Sequence, residues 1–243
     1  MSVTAAKKRT DVATHLLQSS PDTVHWGFFD GALKPVLTVD SGDRVVIECV
    51  SGNPDWMPPK SKGFEILPEL LEIHQKSKKG TGNHILTGPI FVNGAAVGDV
   101  LEVRIHEIEL RQNWGFNLFR AYMGTIPEDF PYSRLIHVAL DKNSNMATLP
   151  SGLKVPLRPF FGQLAVAPPK DLAARTARSR ASSAAISIAR NSSPAAPSIC
   201  RCGTRARCSR PATVTPPRAT AKSTAPRSKP RSRAHSSFTC ARI

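Results

Sequence analysis

Residue 170 divides this chain into two stretches of different chemistry, and only the first can build a core. All three Trp, both Tyr and nine of the ten Phe lie between Met1 and Lys170. From Asp171 to Ile243 there are 15 Lys and Arg against one acidic residue, with four of the five Cys and long runs of Ala, Ser, Pro and Thr. Of the formal net charge of +15, the tail carries +14 and the first 170 residues only +1. A packed interior needs branched and aromatic side chains, and a segment poor in them with high net charge stays unfolded. The reading is therefore a folded domain over 1–170 and a disordered, basic tail over 171–243, with no apolar period of 2 or 3.6 in the tail.

About 170 ordered residues suit one domain with a sizeable core. No apolar run approaches the ~20 residues of a membrane span, so no membrane partner is expected. The N-terminal MSVTAAKKRTDVATHLL has no apolar stretch of the secretory kind. Cys49 stands alone in the front segment, which suits a reducing, cytoplasmic setting. Basicity belongs to the tail, so any affinity for polyanions belongs there too. One alternative function is a basic arm binding nucleic acid or anionic surfaces with steep salt dependence. Only His235 and Phe238 are placed to stack on bases, and no RNA-binding motif occurs, so specific nucleic-acid recognition is not expected. Cys200, Cys202 and Cys208 do not have the spacing of a zinc site.

The front reads as β-rich. Asp40-Ser41-Gly42-Asp43 is a turn, followed by a strand over 44–50. Val97-Gly98-Asp99 is a second turn, followed by a strand over 100–106 in which Leu101, Val103 and Ile105 alternate with Glu102, Arg104 and His106. Two Gly-Asp turns before β-branched runs form a weak internal repeat. Between them, 55–59 is a loop, 68–75 a short helix, and 85–92 a strand containing Gly88-Pro89. Further extended pieces cover 155–159 and 161–166. The class implied is mainly β: a sandwich or barrel-like domain with long loops.

Four segments, in order, resemble the acetamidase/formamidase family of amide hydrolases. They are Pro35-Val-Leu-Thr-Val-Asp-Ser-Gly-Asp43; His84-Ile-Leu-Thr-Gly-Pro-Ile-Phe-Val92 with Gly98-Asp-Val-Leu-Glu-Val103; Gly124-Thr-Ile-Pro-Glu-Asp-Phe-Pro131; and Val155-Pro-Leu-Arg-Pro-Phe-Phe-Gly162 with Val166-Ala-Pro-Pro169. The resemblance covers nearly all of 20–170. It implies a β-rich fold, a homo-oligomer if the domain is intact, and hydrolysis of a small linear amide to a carboxylate and ammonia. It also implies, for some members, a divalent metal, zinc or calcium.

Amide hydrolysis needs an activated nucleophile, stabilisation of the developing oxyanion, and a proton for the departing amine. His84, just before the Thr-Gly-Pro turn, is the candidate general base or metal ligand. Asp40 is the candidate second ligand or base, and Glu128 the candidate acid or base in its Pro-bounded loop. Asp43 reads as a turn former. Thr87, Gly88 and Pro89 are expected to shape the substrate site and offer backbone N–H groups to the substrate carbonyl. His25 and Trp26 are expected to line a small pocket. His106 and His137 lie in strand-like runs and read as structural. No Gly-Xaa-Ser-Xaa-Gly elbow, P-loop or dinucleotide fingerprint is present.

Members of the resembled family continue after Val-Ala-Pro-Pro with a Gly-Gly-Asn/Asp-Xaa-Asp segment. A Leu-Pro-Val stretch and a Gly-Asp-Gly/Pro-His…Gln-Gly-Asp-Gly-Glu signature follow. None occurs in the tail as written. The codons of the tail nevertheless permit them in a second frame, read from the third base of each codon and the first two of the next. Residues 184–192 permit G-D-L-D-S-E-E-F, 199–209 permit L-P-V-W-N-E-G-A-L-F, and 209–223 permit S-A-G-D-G-H-A-A-Q-G-D-G-E-V. Residues 223–243 permit N-G-T-A-I-E-T-A-L-A-G-T-F-K-L-H-L-R-E-D. The expectation is a frameshift between about Asp171 and Ala184, and a chain that lacks part of its site.

Overall fold

The computed structural model describes residues 12–80, 84–96, 99–161 and 164–168, and in the tail the backbone of five strand segments. In the front the strands are β1 (Thr14–Leu17), β2 (Val24–Trp26), β3 (Phe28–Phe29), β4 (Leu37–Val39), β5 (Arg44–Glu48), β6 (Ile85–Val92), β7 (Val100–Leu110), β8 (Trp114–Phe119), β9 (Arg134–Asp141), β10 (Met146–Thr148), β11 (Lys154–Pro156), β12 (Pro159–Phe161) and β13 (Leu164–Val166). One helix, α1 (Pro68–Lys76), lies between β5 and β6. The tail contributes β14 (Arg175–Thr176), β15 (Ser198–Arg201), β16 (Ala212–Val214), β17 (Pro217–Ala219) and β18 (Ser232–Ala241). The expected strands and helix of the front are present, with β7 running four residues further than the alternation suggested.

Two five-stranded sheets make a sandwich. One has the order β1-β5-β18-β7-β15; in the other β6 pairs on one side with β2 and β4 and on the other with β16, which carries β13. Their facing sides enclose the largest core cluster, with Val45 and Ile47 of β5, Val103 and Ile105 of β7, Ile90 and Val92 of β6, and Leu164 of β13. Burying each such side chain stabilises the fold by ~1.5–3 kcal/mol. The period-2 alternation seen in the sequence is the imprint of this one-sided burial. A second cluster sits under α1, where Leu70 and Ile73 meet Trp26, Val50 and Ile85. Pro68 opens the helix, with its fixed φ and missing N–H both suited to the first turn.

The weak repeat in the sequence has a structural counterpart. In the first turn, Asp43 N–H donates to Asp40 O at 3.1 Å, and the Asp43 carboxylate accepts from Asp40 N at 2.9 Å. In the second, Asp99 N–H donates to Ala96 O at 3.1 Å, and the Asp99 carboxylate accepts from Ala96 N at 2.6 Å. Each buried carboxylate closes its own turn, and β4–turn–β5 and β6–turn–β7 each carry the chain from one sheet to the other.

Two features depart from the sequence reading. A four-stranded antiparallel sheet, β11-β10-β9-β8, extends beside the sandwich, and no alternation in the sequence announces it. The tail, in which no periodic element was legible, is the source of β14 to β18. β18 lies between β5 and β7, antiparallel to both. Backbone ladders do not depend on side-chain period, and both neighbouring strands need bonding partners. The remainder of the tail lies outside the described residues.

Asp43 is 3% exposed and also accepts from Ala13 N at 3.3 Å and His15 Nε2 at 3.0 Å. Asp43→Ala is expected to lower unfolding stability by about 2–3 kcal/mol, because three part-buried donors lose their shared, buried acceptor. Asp40→Ala, at a partly exposed position, is expected to cost under ~1 kcal/mol. Urea unfolding of the two variants checks the difference, and equal losses would count against this account of the turn.

Candidate functional site

β6 is the element around which the candidate residues have to be judged, because most of them lie on it or beside it. Its ladder with β2 pairs Val24 with Thr87, His25 with Leu86 and Trp26 with Ile85. Gly27 N–H donates to His84 O at 2.8 Å and carries that ladder one pair further. His84 therefore stands one diagonal step from His25, roughly 7–8 Å between backbones. The start of β6 brings these two histidines together.

Asp40 lies at the other end. β4 runs parallel to β6 with Val39 opposite Val92, and Asp40 Oδ1 accepts from Asn93 Nδ2 at 2.9 Å. Nine residues of extended chain separate His84 from Asn93, roughly 25–30 Å. His84 and Asp40 cannot share a metal ion or a substrate at that separation, so the expected pairing is replaced by two unrelated positions. Asp43 is a turn residue, as read. Glu128 is exposed in a single 3-10 turn, Pro127–Asp129, between β8 and β9. No hydrogen bond or ion pair among the described residues links it to His25 or His84.

The Thr-Gly-Pro segment also differs from its expected use. Thr87 is fully buried, and its hydroxyl donates to Glu48 O at 3.2 Å and lies 3.1 Å from Ser19 Oγ. Gly88 N–H donates to Thr23 O at 2.9 Å, and Pro89 has no N–H to give. Gly88-Pro89 is a cis peptide bond. This segment thus holds β6 to its neighbours and offers no spare amide at 88 or 89 to an oxyanion.

His25 and Trp26 point to opposite faces of the sheet. Trp26 is a core residue, packed with Leu70, Ile73 and Ile85, and its ring meets His74 edge-on at 4.9 Å. His25 shares the face of Leu86, which packs with Phe29 and Ala165. Its Nδ1 lies 3.2 Å from Gly88 O. Burial lowers the ring to about 4, against the opposing effects of Gly88 and Asp30. His137, as expected, is structural: its Nε2 bonds Trp56 O at 3.0 Å.

The sequence model of the Acetamidase/Formamidase family matches residues 17–229 of this chain. The chain belongs to that family. Its match runs past the compositional break at 170. A recombinant predicted acetamidase/formamidase from Thermoanaerobacter tengcongensis has the same fold, with a TM-score of 0.70, 17% identity, and 95% of this chain covering 70% of that one. An acetamidase from Bacillus halodurans gives 0.71 at 16% identity, over 93% of this chain and 70% of that one. A gamma lactamase from Delftia acidovorans gives 0.61 at 15%, over 94% and 68%. A protein of Schizosaccharomyces pombe that bears the name formamidase is 30% identical over 82 residues, 33% of this chain and 18% of that protein.

Several residues around β6 escaped the sequence reading. Arg111, just after β7, reaches Glu69 of α1 at 2.5 Å and Glu48 of β5 at 3.5 Å. The three are 17%, 20% and 7% exposed at their side chains, so this bridge ties the helix to the sandwich from inside. Nothing in local spacing announces it, since its members are 21 and 42 residues apart. Cys49 is fully buried beside Thr87, and burial pushes its thiol up to about 12. A thiol so held is not a nucleophile at neutral pH.

Native chain treated with iodoacetamide at about pH 8 is therefore expected to leave Cys49 unmodified, and denatured chain to modify it. Peptide mass mapping reads the result. Alkylation of Cys49 in the native protein as fast as in the denatured one would overturn the assignment.

Proposed function

We propose that the gene encodes a hydrolase of short linear amides, releasing ammonia from substrates such as formamide or acetamide, and that the 243-residue chain is inactive as written. Membership of the Acetamidase/Formamidase family over 17–229 carries the first part. The curated relative is matched over 18% of its length, so activity and substrate are proposals for this chain. The start of β6, with His25 and His84, is the proposed location of the chemistry. A histidine there can take the proton of an attacking water and return it to the departing amine. Cys49, held protonated, has no part in it.

The second part rests on strand register and the second reading frame. Write each second-frame residue at the later of the two codons it spans. Positions 236, 238 and 240 of β18 then read Phe, Leu and Leu, and 237, 239 and 241 read Lys, His and Arg. The ladder sets position 236 opposite Val45 and Ile105, 238 opposite Val103 and 240 opposite Leu101, all of them core residues. The second frame is thus apolar at the three positions opposite core residues and charged or polar at the alternate ones, which supports the reading. The frame as written has Ser236, Phe238 and Cys240 there. Likewise, positions 212–214 read Gly-Asp-Gly in the second frame, with the signature His immediately after. β16 is the strand beside β6, with Val214 opposite Thr87. This register supports the reading that the signature segment sits beside β6 in the restored protein, where Ala212-Thr213-Val214 is now written.

The test compares the 243-residue chain with a version whose frame is restored by one base between the codons of Asp171 and Ala184. Ammonia release from formamide and acetamide is expected from the restored protein and at least ~1000-fold less from the chain as written, the scale of losing catalytic groups. Comparable rates would sink the inactivity reading, and inactivity of both would sink the assignment to linear amides. A localisation in the cytoplasm and assembly into a homo-oligomer are part of the same proposal for the restored protein. Among the described residues no helix is long and apolar enough to cross a membrane.

A further inference from the structure

We propose that Asn93 is a site of self-modification. The backbone nitrogen of Gly94 attacks the Asn93 side-chain amide, ammonia leaves, and the neutral side chain at the end of β6 becomes a carboxylate facing Asp40.

Asn93 is the one asparagine of this chain that is followed by glycine. Ring closure requires the next backbone nitrogen to swing onto Cγ, and a Cβ on that next residue hinders the approach, whereas glycine turns freely. Asn53, Asn113, Asn117, Asn143 and Asn145 are followed by Pro, Trp, Leu, Ser and Met. The Asn-Gly pair lies in the turn that ends β6, where Ala95 N–H donates to Val92 O at 3.4 Å. Gly94 takes φ +73° at the third position of that turn, which glycine adopts without strain. Both residues are exposed, and no heavy atom beyond the chain neighbours lies within 4 Å of where a Cβ on Gly94 would stand. Among the described residues Gly94 N–H makes no hydrogen bond. Solvent base reaches that N–H, and the ring has room to close.

The amide that reacts joins two strands. Asn93 Nδ2 donates to Asp40 Oδ1 at 2.9 Å, and Asn93 N–H donates to Val39 O at 2.8 Å. Together they extend the β4–β6 pairing beyond its last ladder pair, Val39 with Val92. In the reaction Gly94 N gives its proton to hydroxide and bonds to Asn93 Cγ. The Cγ–Nδ2 bond breaks, and Nδ2 takes a proton from water and leaves as ammonia. One water then opens the cyclic imide. Cleavage at Cγ gives an aspartate, and cleavage at the backbone carbonyl gives an isoaspartate. The sum is one amide and one water giving one carboxylate and one ammonia, with no change of oxidation state. The product replaces a donor to Asp40 with a second negative charge beside it, and the isoaspartate form also lengthens the backbone of the turn. Both loosen the joint between β4 and β6. The reaction happens once per chain, so it is distinct from turnover of a substrate amide and independent of the amide-hydrolase reading.

The test is ageing of the folded chain in mildly alkaline buffer, with peptide mass mapping at intervals. Asn93 is expected to gain the mass of an NH2-to-OH exchange before any other described asparagine, with isoaspartate in the same peptide. Asn93→Gln, which needs a larger ring, is expected to lose the conversion. Asn93→Asp is expected to unfold at lower urea than the unmutated chain. Adding Asp40→Asn to that variant removes the repulsion and recovers the difference, and added salt narrows it. If Asn93 stays intact in the folded chain while it converts in the urea-unfolded chain, or if another described asparagine converts first, the proposal is overturned. An Asn93→Asp chain as stable as the unmutated one overturns the consequence for the β4–β6 joint. Should Asn93→Asp fail to fold, mass mapping of the unmutated chain decides the site by itself.

Discussion

β5 and β7 run in the same direction with one strand's width between them, and the fold depends on what occupies that gap. Each presents a row of backbone N–H and C=O groups toward the other, too distant to bond directly. β18 bonds both, over Arg233–Ser237 with β5 and over Ser232–Ala241 with β7, the latter with a register shift between His235 and Ser236. β16 does the same between β6 and β13. The front segment holds nearly all the aromatic mass of the chain yet does not finish either of its sheets alone. A boundary drawn by composition at residue 170 is therefore not a boundary of the fold.

The parts of this architecture that were legible in the sequence are those written in local period. Leu101, Val103 and Ile105 alternate because one face of β7 meets the core. The Gly-Asp turns announced themselves because a short carboxylate beside a glycine closes a turn within four residues. The helix at 68–76 showed through Pro68 and the spacing of Leu70 and Ile73. β8 and β9 were not legible as a sheet, since Trp-Gly-Phe-Asn-Leu-Phe is buried on both faces over its first four residues and shows no alternation. The tail strands were not legible because their pairing partners are non-local, from 46 residues away for Ala212 opposite Val166 upward, and their own side chains carry no period.

The candidate site shows the same division. Segment identity singled out His84, Asp40 and the Thr-Gly-Pro run together, but segment identity contains no distances. Strand geometry then separates Asp40 from His84 by the full length of β6. It brings His25 in beside His84 instead, through a pairing of β2 with β6 that neither segment encodes by itself. Thr87 illustrates a further reason for the mismatch. A hydroxyl beside a glycine looks available for a substrate, yet this one is consumed by Glu48 O and Ser19 in the seam between the two sheets.

The bridge from Arg111 to Glu48 and Glu69 separates two kinds of attachment in α1. The pair between Lys76 and Glu72 on the same helix is open to water, with side chains 64% and 47% exposed, and mobile ions weaken such a contact readily. The Arg111 bridge lies beneath the helix, with side chains 7–20% exposed, where salt screens less. Raised ionic strength therefore loosens the solvent side of α1 more than its seat on the sandwich. The helix is anchored to the body of the protein more firmly than it is stabilised along its own outer face.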